Sequence, residues 1–586
     1  MRDARLLRVL VAQLNLTVGD VDGNAARIIG VLHQAQGGGV DVAVFPELAV
    51  SGYPPEDLLM RPSFMAECEA AIGEIAAATC GLTAIVGFPD RVGDDVANAA
   101  AVLHDGALED VYHKVYLPNY GVFDEERYFD EGHRVPVYLR GDAVLGVSVC
   151  EDIWYPSGPP ELQATAGAEV LINISASPFV QRKHISRTRM MSTRAADSVA
   201  YVVYCNLVGG QDELVFDGNS LVVGPEGQVL ARGASFAEDV FVVDLPLEAV
   251  FRQRLVDPRG RKARHAGGVG GAAVERVALP TMSAGAGSRT IDVTMQTRRP
   301  GEAQPLVGEA EVWAALVLGT RDYVRKNGFT TVVIGLSGGI DSALTAAVAM
   351  DALGAENVVC VAMPSRFNAP SSLQDARDLC QQSGIRLLEI GIDGTFQAAL
   401  DMLAPAWGGK PADMTEENLQ SRIRGTTLMA LSNKHRWLVL TTGNKSETAV
   451  GYSTLYGDTA GAFAPLQDVA KTLVYALARW RNAQPGGWVI PEHSITRAPS
   501  AELRPDQTDQ DTLPPYDLLD AILERYVEEE MGVDEIVARG FDEATVARVA
   551  RMVDRAEFKR RQNPPGIKIT ARAFGRDRRM PITKGR

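Results

Sequence analysis

Val332-Val333-Ile334-Gly335-Leu336 runs into Ser337-Gly338-Gly339-Ile340-Asp341-Ser342, and then into Ala343-Leu344-Thr345-Ala346-Ala347-Val348-Ala349-Met350. An apolar strand, a glycine turn and an alanine-rich helix, in that order, aim backbone N–H groups at a phosphate. The glycines let the main chain approach a ligand closely. Ser337 and Ser342 add hydroxyl donors, and Asp341 supplies a carboxylate for a divalent cation. No lysine follows the glycines, so the stretch is not a Walker-type loop. The plainer alternative is a glycine turn between a buried strand and a helix, but the flanking elements stand where phosphate binding needs them.

Downstream of this stretch the pattern repeats: strand, loop, helix and strand over 332–363, a helix to 383 and a strand at 386–390. This predicts a doubly wound parallel sheet, which binds ligands beyond the carboxyl ends of its strands. Upstream, residues 261–305 turn rich in glycine, alanine and serine and read as a connector. They separate one domain at 1–260 from another at 306–586. The first domain predicts strands at 7–12, 42–45, 83–87, 144–149, 170–174, 201–206, 220–223 and 240–243, with a helix at 24–36. That density of strands and helices predicts an α/β sandwich.

A chain of 586 residues exceeds one ordinary core. The formal charge of −16 argues against a protein that tracks a nucleic acid. Six cysteines are scattered without a Cys-x-x-Cys pair, which argues against a disulfide framework or zinc knuckle and fits a reducing compartment. Met1-Arg2-Asp3-Ala4-Arg5 lacks the apolar stretch of a signal peptide. No run approaches the roughly 18 apolar residues of a membrane span. The expectation is a cytoplasmic protein.

Three residues of the first domain stand at or just past apolar strands: Glu47 after Val42-Ala43-Val44-Phe45-Pro46, Lys114 in Val111-Tyr112-His113-Lys114-Val115, and Cys150 closing Val144-Leu145-Gly146-Val147-Ser148-Val149. A thiol with a pKa of about 8.5 is only slightly ionised at neutral pH. A lysine cation favours the thiolate, and a carboxylate can take the proton and later activate water. The lysine can also stabilise the oxyanion formed when sulfur attacks an amide. Taken singly, such a cysteine is more often a small buried apolar residue, and the other two are usually solvated loop residues.

The neighbourhoods Phe45-Pro46-Glu47-Leu48-Ala49-Val50-Ser51-Gly52-Tyr53, His113-Lys114 with Leu117-Pro118, and Cys150-Glu151-Asp152-Ile153-Trp154 resemble the three motifs of the nitrilase (carbon–nitrogen hydrolase) family. The resemblance implies a four-layer αββα sandwich with Glu47 as general base, Lys114 as oxyanion stabiliser and Cys150 as nucleophile. The run 117–129 resembles the glutaminase domains fused to NAD synthetases. It implies that Tyr120, Glu151, Ser177 and Lys183 contact L-glutamine. Asp124, Glu125 and Glu126 read instead as a capped, charged turn.

The Ser337 loop resembles that of the ATP pyrophosphatases, which split ATP between the α and β phosphates. That resemblance implies ATP contacts at Gly335, Leu336, Ser337, Gly338, Gly339, Ile340, Asp341 and Ser342. The stretch 437–447 reads as a second strand–turn–helix and resembles the family's second nucleotide motif, a resemblance that implies Thr442 as an ATP contact and Glu447 as a contact to deamido-NAD or magnesium. Asn418, Asp458 and Lys559 match further deamido-NAD contacts of the family, and Lys471 is suited to a phosphate. Arg422 and Arg424 either face phosphates or form an exposed polar stripe. The segment 498–515 is polar and proline-rich, as lids and surface loops are.

The resemblance to glutamine-dependent NAD synthetases covers nearly the whole chain. It implies ATP, Mg2+, L-glutamine and deamido-NAD as ligands, a protected passage for ammonia and a homo-oligomer, with no nucleic acid or membrane partner. Three alternatives stay open at this stage: an amidating ligase for another carboxylate, a tRNA-thiolating enzyme and a metabolite sensor with decayed sites.

Overall fold

The computed structural model describes residues 5–258, 274–282, 297–487, 489–505 and 507–585. The chain forms two compact units, Met1–Gln211 with Phe216–Leu306, and Asp212–Val215 with Val307–Arg586. Within the stretch read as a connector, residues 261–273 and 283–296 lie outside the described residues. Between them, Arg276–Ala278 is a strand of the first unit, parallel to Val137–Arg140.

The first unit holds two large sheets. One has six strands in the order Asp239–Pro246, Leu6–Gln13, Val42–Val44, Thr83–Val92, Asp95–His104 and Ala107–His113. The other has seven: Val229–Arg232, Leu221–Val223, Tyr201–Asn206, Val170–Ser175, Ala143–Val149, Val137–Arg140 and Arg276–Ala278. Val170–Ser175 pairs in parallel with both of its neighbours and is buried along its whole length. Strands covered on both faces read as continuous apolar runs, and this one does. Val11, Val44, Ile85 and Val102 of the first sheet share one core with Val147, Val149, Ile172 and Val203 of the second. Each such side chain contributes about 1.5–3 kcal/mol relative to an exposed one. The helix Pro62–Ala77 packs on the first sheet with Val21–Gly37 beside it, while Pro159–Thr165 and Lys183–Ser198 pack on the second. The result is a four-layer αββα sandwich.

The second unit carries a parallel sheet in the order Arg386–Glu389, Val358–Ala362, Val332–Gly335 and Leu438–Leu440. In chain order this is 3-2-1-4, so the direction of winding reverses between Val332–Gly335 and Leu438–Leu440. Ligands of doubly wound sheets bind beyond the strand ends at such a switch point. The helix Ile340–Leu353 packs on the strands Val332–Gly335 and Val358–Ala362. On the other face, Leu428 of the helix Met414–His435 packs against Val333, Val359 and Val439. That helix starts at a capping box of Asp413 and Glu416. Among the described residues no helix is long and apolar enough to cross a membrane.

Candidate functional site

Each unit carries a site of its own. In the first, Glu47 follows the strand Val42–Val44, and its backbone turn passes tightly over Gly87. A Cβ on Gly87 would lie 2.3 Å from Leu48 N and 2.4 Å from Pro46 O, so only glycine lets the two segments meet. Lys114 follows the strand Ala107–His113. Cys150 begins the short turn Cys150–Ile153, with φ at 40°, a left-handed conformation that a non-glycine residue keeps only when its surroundings enforce it. The enforcing residue is Asp152. Its carboxylate accepts from Val149 N (2.9 Å), Tyr112 OH (2.8 Å), Val115 N (3.1 Å) and Tyr116 N (3.0 Å), tying the cysteine turn to the lysine segment.

Glu47, Lys114 and Cys150 are all buried. Lys114 Nζ donates to Glu47 Oε1 at 2.7 Å, and Glu47 also accepts from Asn98 Nδ2 (2.8 Å) and Ala176 N (2.7 Å). Glu125 completes the cluster: both its oxygens accept from Lys114 Nζ, at 2.9 and 2.7 Å, and it accepts from Tyr53 OH at 2.9 Å. This corrects the reading of 124–126 as a charged turn. The turn exists at Glu125–Arg127, but Asp124 makes no side-chain cap, and Glu125 points inward. Three consecutive acids hid it, because sequence alone does not say which of three neighbours faces the core.

Burial opposes the charge on Lys114, but Glu125 and Glu47 outweigh it and hold the pKa well above the ordinary lysine value. Burial pushes Glu125 up, Glu47 adds to the rise, and Lys114 opposes both. Burial and then Glu47 push the Cys150 thiol up, and Lys114 only partly counters them. The balance favours the neutral thiol, beside a carboxylate that can take its proton.

Tyr120 is exposed, and its OH lies 3.0 Å from each carboxylate oxygen of Glu151. Glu151 is raised by burial, while Tyr120, Lys114 and Lys183 pull it down, which puts each of them within electrostatic reach of Glu151. Lys183 Nζ donates to Pro178 O at 3.0 Å. Ser177 is buried, its N–H given to Asn206 Oδ1 at 3.0 Å and its Oγ accepting from Arg187 Nη2 at 3.4 Å.

In the second unit a cavity of about 680 Å³ opens beyond the parallel strands. Gly335, Leu336, Ser337, Gly339, Ile340, Asp341, Ser342, Asn418, Thr442, Glu447, Asp458, Lys471 and Lys559 line it. Gly338 stands in the same loop with φ at 80°. A Cβ there would lie 2.2 Å from Ser372 O. Ser342 Oγ accepts from Ser337 N at 3.2 Å and donates to Gly339 O at 3.0 Å, which closes the loop on itself. Gly339 caps the helix Ile340–Leu353 without a side-chain bond, leaving its amide end to the cavity.

Residues 8–254 match the carbon–nitrogen hydrolase family, and residues 312–563 match NAD synthase. The glutamine-dependent NAD(+) synthetase of Thermotoga maritima is 47% identical over 98% of this chain and 98% of its own. This chain belongs to the glutamine-dependent NAD(+) synthetase family. The family member from Xanthomonas campestris is also 47% identical, over 99% of this chain and 98% of its own. The solved synthetase of Acinetobacter baumannii, a complex with adenosine diphosphate, is 39% identical with a TM-score of 0.73, covering 99% of this chain and 98% of that one.

Around the synthetase cavity, Lys471 Nζ bridges Asp341 and Glu447, 3.2 Å from the latter. Asn444 Nδ2 holds Asp341 Oδ1 at 2.9 Å, and Asn444 Oδ1 caps the helix Lys445–Val450 through Glu447 N at 3.0 Å. Two carboxylates converging on one cation suit a magnesium ion that arrives on phosphates, since Mg2+ takes one or two carboxylates and fills its shell with phosphate and water. Burial raises Glu447, and Asp341 and Asp509 add to the rise against Lys471.

The other predicted contacts gather at one turn. Lys559 Nζ donates to Gly451 O (2.8 Å) and Ser453 O (2.9 Å). Asn418 Oδ1 accepts from Thr454 Oγ1 (2.9 Å), and Asp458 Oδ1 accepts from Thr454 N (2.6 Å). The two arginines left open separate here. Arg422 is exposed and donates to Leu455 O at 3.2 Å. Arg424 lines the cavity, and burial pulls its guanidinium down to about 10.

Proposed function

We propose that the chain converts deamido-NAD to NAD with ATP, taking ammonia from L-glutamine. The observation that carries the glutamine half is the buried Glu47–Lys114–Cys150 cluster, in which the Glu47 carboxylate is held by Lys114 near the Cys150 thiol. Glu47 takes the Cys150 proton as sulfur attacks the glutamine amide, forming a tetrahedral oxyanion that Lys114 steadies. The C–N bond breaks, ammonia leaves with a proton returned by Glu47, and a thioester remains. Glu47 then activates water to release glutamate. Tyr120, Glu151, Ser177 and Lys183 receive the rest of the glutamine, with Glu151 suited to its ammonium and Lys183 to its carboxylate.

In the synthetase unit the nicotinate carboxylate attacks the α phosphorus of ATP, and pyrophosphate leaves. Adenylation turns a poor leaving oxygen into AMP, which ammonia then displaces to form the amide. The Ser337–Ser342 backbone and hydroxyls cradle the phosphates with Gly335, Leu336 and Thr442, and Lys471 neutralises their charge. Asp341 and Glu447 would hold Mg2+, which supplies charge neutralisation on the phosphates. Asn418, Asp458 and Lys559 bind deamido-NAD. Assembly as a homo-oligomer is part of the same proposal, and sedimentation tests it.

The reading is tested by supplying ATP with and without deamido-NAD and measuring AMP and pyrophosphate. Stoichiometric AMP, pyrophosphate and NAD are expected only with deamido-NAD present. AMP release driven by a different carboxylate, with none from deamido-NAD, would overturn the acceptor assignment.

A further inference from the structure

The segment that follows Arg497 lines the synthetase cavity, including Glu502, Leu503 and Gln507. Sequence reads the run from 498 as a lid or surface loop, but side chains fasten it. Glu502 adopts φ of 50° and presents its carboxylate to three donors. Oε1 accepts from Ser372 Oγ at 2.7 Å and Arg497 Nη1 at 3.0 Å, and Oε2 accepts from Asn368 Nδ2 at 3.0 Å. Gln420 Nε2 pins the next residue through Leu503 O at 2.9 Å.

This anion stands beside the phosphate loop. Arg497 Nη2 lies 4.0 Å from the place a Cβ on Gly339 would take, and Ser372 O is the atom that a Cβ on Gly338 would strike. Ser494 Oγ, in the short helix Glu492–Thr496 that leads into the segment, donates to Gly338 O of the loop at 2.8 Å. A guanidinium, a hydroxyl and an amide N–H around one carboxylate are the donors that bind a phosphate oxygen. A non-glycine residue holds a left-handed backbone only where its contacts fix it, so the Glu502 placement is enforced.

We propose that Arg497, Ser372 and Asn368 form a further phosphate-oxygen subsite of the ATP site. Glu502 fills it as an internal anion until a phosphate group displaces it. The proposal rests on the reading of the Ser337–Ser342 loop as a phosphate cradle. Two anions cannot share one set of donors without strong repulsion, so ligand entry must expel the Glu502 carboxylate, and its return assists the departure of pyrophosphate. Arg497 is then a direct phosphate contact, and Glu502 a competitor that weakens phosphate binding.

Calorimetric titration of the full chain with inorganic pyrophosphate, and separately with AMP, tests this in the parent, Glu502→Gln, Arg497→Gln and the double variant. Glu502→Gln is expected to bind about tenfold more tightly and Arg497→Gln about tenfold more weakly, the size of one charge-assisted hydrogen bond. In the Arg497→Gln background, Glu502→Gln should give no gain. A gain with pyrophosphate assigns the subsite to the β and γ phosphates, and a gain with AMP assigns it to the α phosphate. Unchanged or weaker binding of both probes by Glu502→Gln, as expected if Glu502 only latches the segment, would overturn the proposal. An equal gain in both backgrounds would also overturn it. Ser372→Ala serves if Arg497→Gln does not fold, and should likewise reduce the gain. A parent that binds neither probe would refute the cradle reading as well, whereas binding that ignores Glu502→Gln refutes this inference alone.

Discussion

Lys114 Nζ lies 2.9 and 2.7 Å from the two carboxylate oxygens of Glu125, in a pair closed off from solvent. Glu47 draws on the same ammonium from the other side at 2.7 Å. Glu125 thereby fixes where the Lys114 charge sits without touching the thiol. Glu125→Gln should lower glutaminase turnover by about 10²–10³, the usual loss when an oxyanion-stabilising group is displaced. Synthesis from ammonium should continue. Glutamate release and ammonium-driven NAD formation, measured on the same preparation, check this; parental glutamate release would reduce Glu125 to a packing role.

The Cys150 thiol is raised by burial and by Glu47. The shift favours the neutral form, so ionisation requires a pH above the ordinary thiol value of about 8.5. The thiolate ultraviolet absorbance of the parent minus that of Cys150→Ala should therefore be nil at neutral pH and appear only in alkali. A difference signal that titrates below pH 7 would mean a preformed thiolate.

Gly87 and Gly338 are steric requirements: an added Cβ would meet backbone atoms at 2.3 Å and 2.2 Å respectively. Gly87→Ala should destabilise the first unit by about 1–3 kcal/mol, the range for overpacking, and should impair glutamate release because the Glu47 turn must shift. Gly338→Ala adds the strain of φ at 80° and should impair AMP formation. Thermal melts with the two separate assays check both; the opposite pattern of losses would contradict the site placement.

Lys471 is buried and bridges Asp341 and Glu447. Lys471→Met should cut NAD formation by about 10² or more with either nitrogen source. Asp341→Asn should shift the magnesium titration of activity to higher concentration. An unchanged magnesium dependence in Asp341→Asn would remove that residue from the proposed ion site.

Strands such as Val170–Ser175 and Tyr201–Asn206 are legible as apolar runs because they are buried along their whole length; the strand expected at 201–206 matches Tyr201–Asn206 in full. The hairpin Asp95–His104 and Ala107–His113 is not legible in the same way. Its first strand contains Ala97-Asn98-Ala99-Ala100-Ala101, which carries no β-branched signal, so pairing with Thr83–Val92 determines it rather than propensity. Glu47, Lys114 and Cys150 stand out in the sequence through the nitrilase-like motifs around them, since position beside a strand alone leaves each open, and the structure brings them into one buried cluster. The roles of Glu125 and Asp152 are not legible there, since they lie in which way a turn points. Asp152 in particular acts on backbone N–H groups more than thirty residues away in sequence. The Arg497–Glu502 contact is equally silent in sequence, because a polar, proline-rich segment reads the same whether it is free or fastened.

Nitrogen released in the first unit is consumed in the second. NAD and AMP formation should be measured in the parent and in Cys150→Ala, with ATP, magnesium and deamido-NAD, and with glutamine or ammonium as nitrogen source. The account predicts that Cys150→Ala loses the glutamine-driven reaction and keeps the ammonium-driven one near the parental rate. Glutamine-driven NAD formation persisting in Cys150→Ala would contradict it.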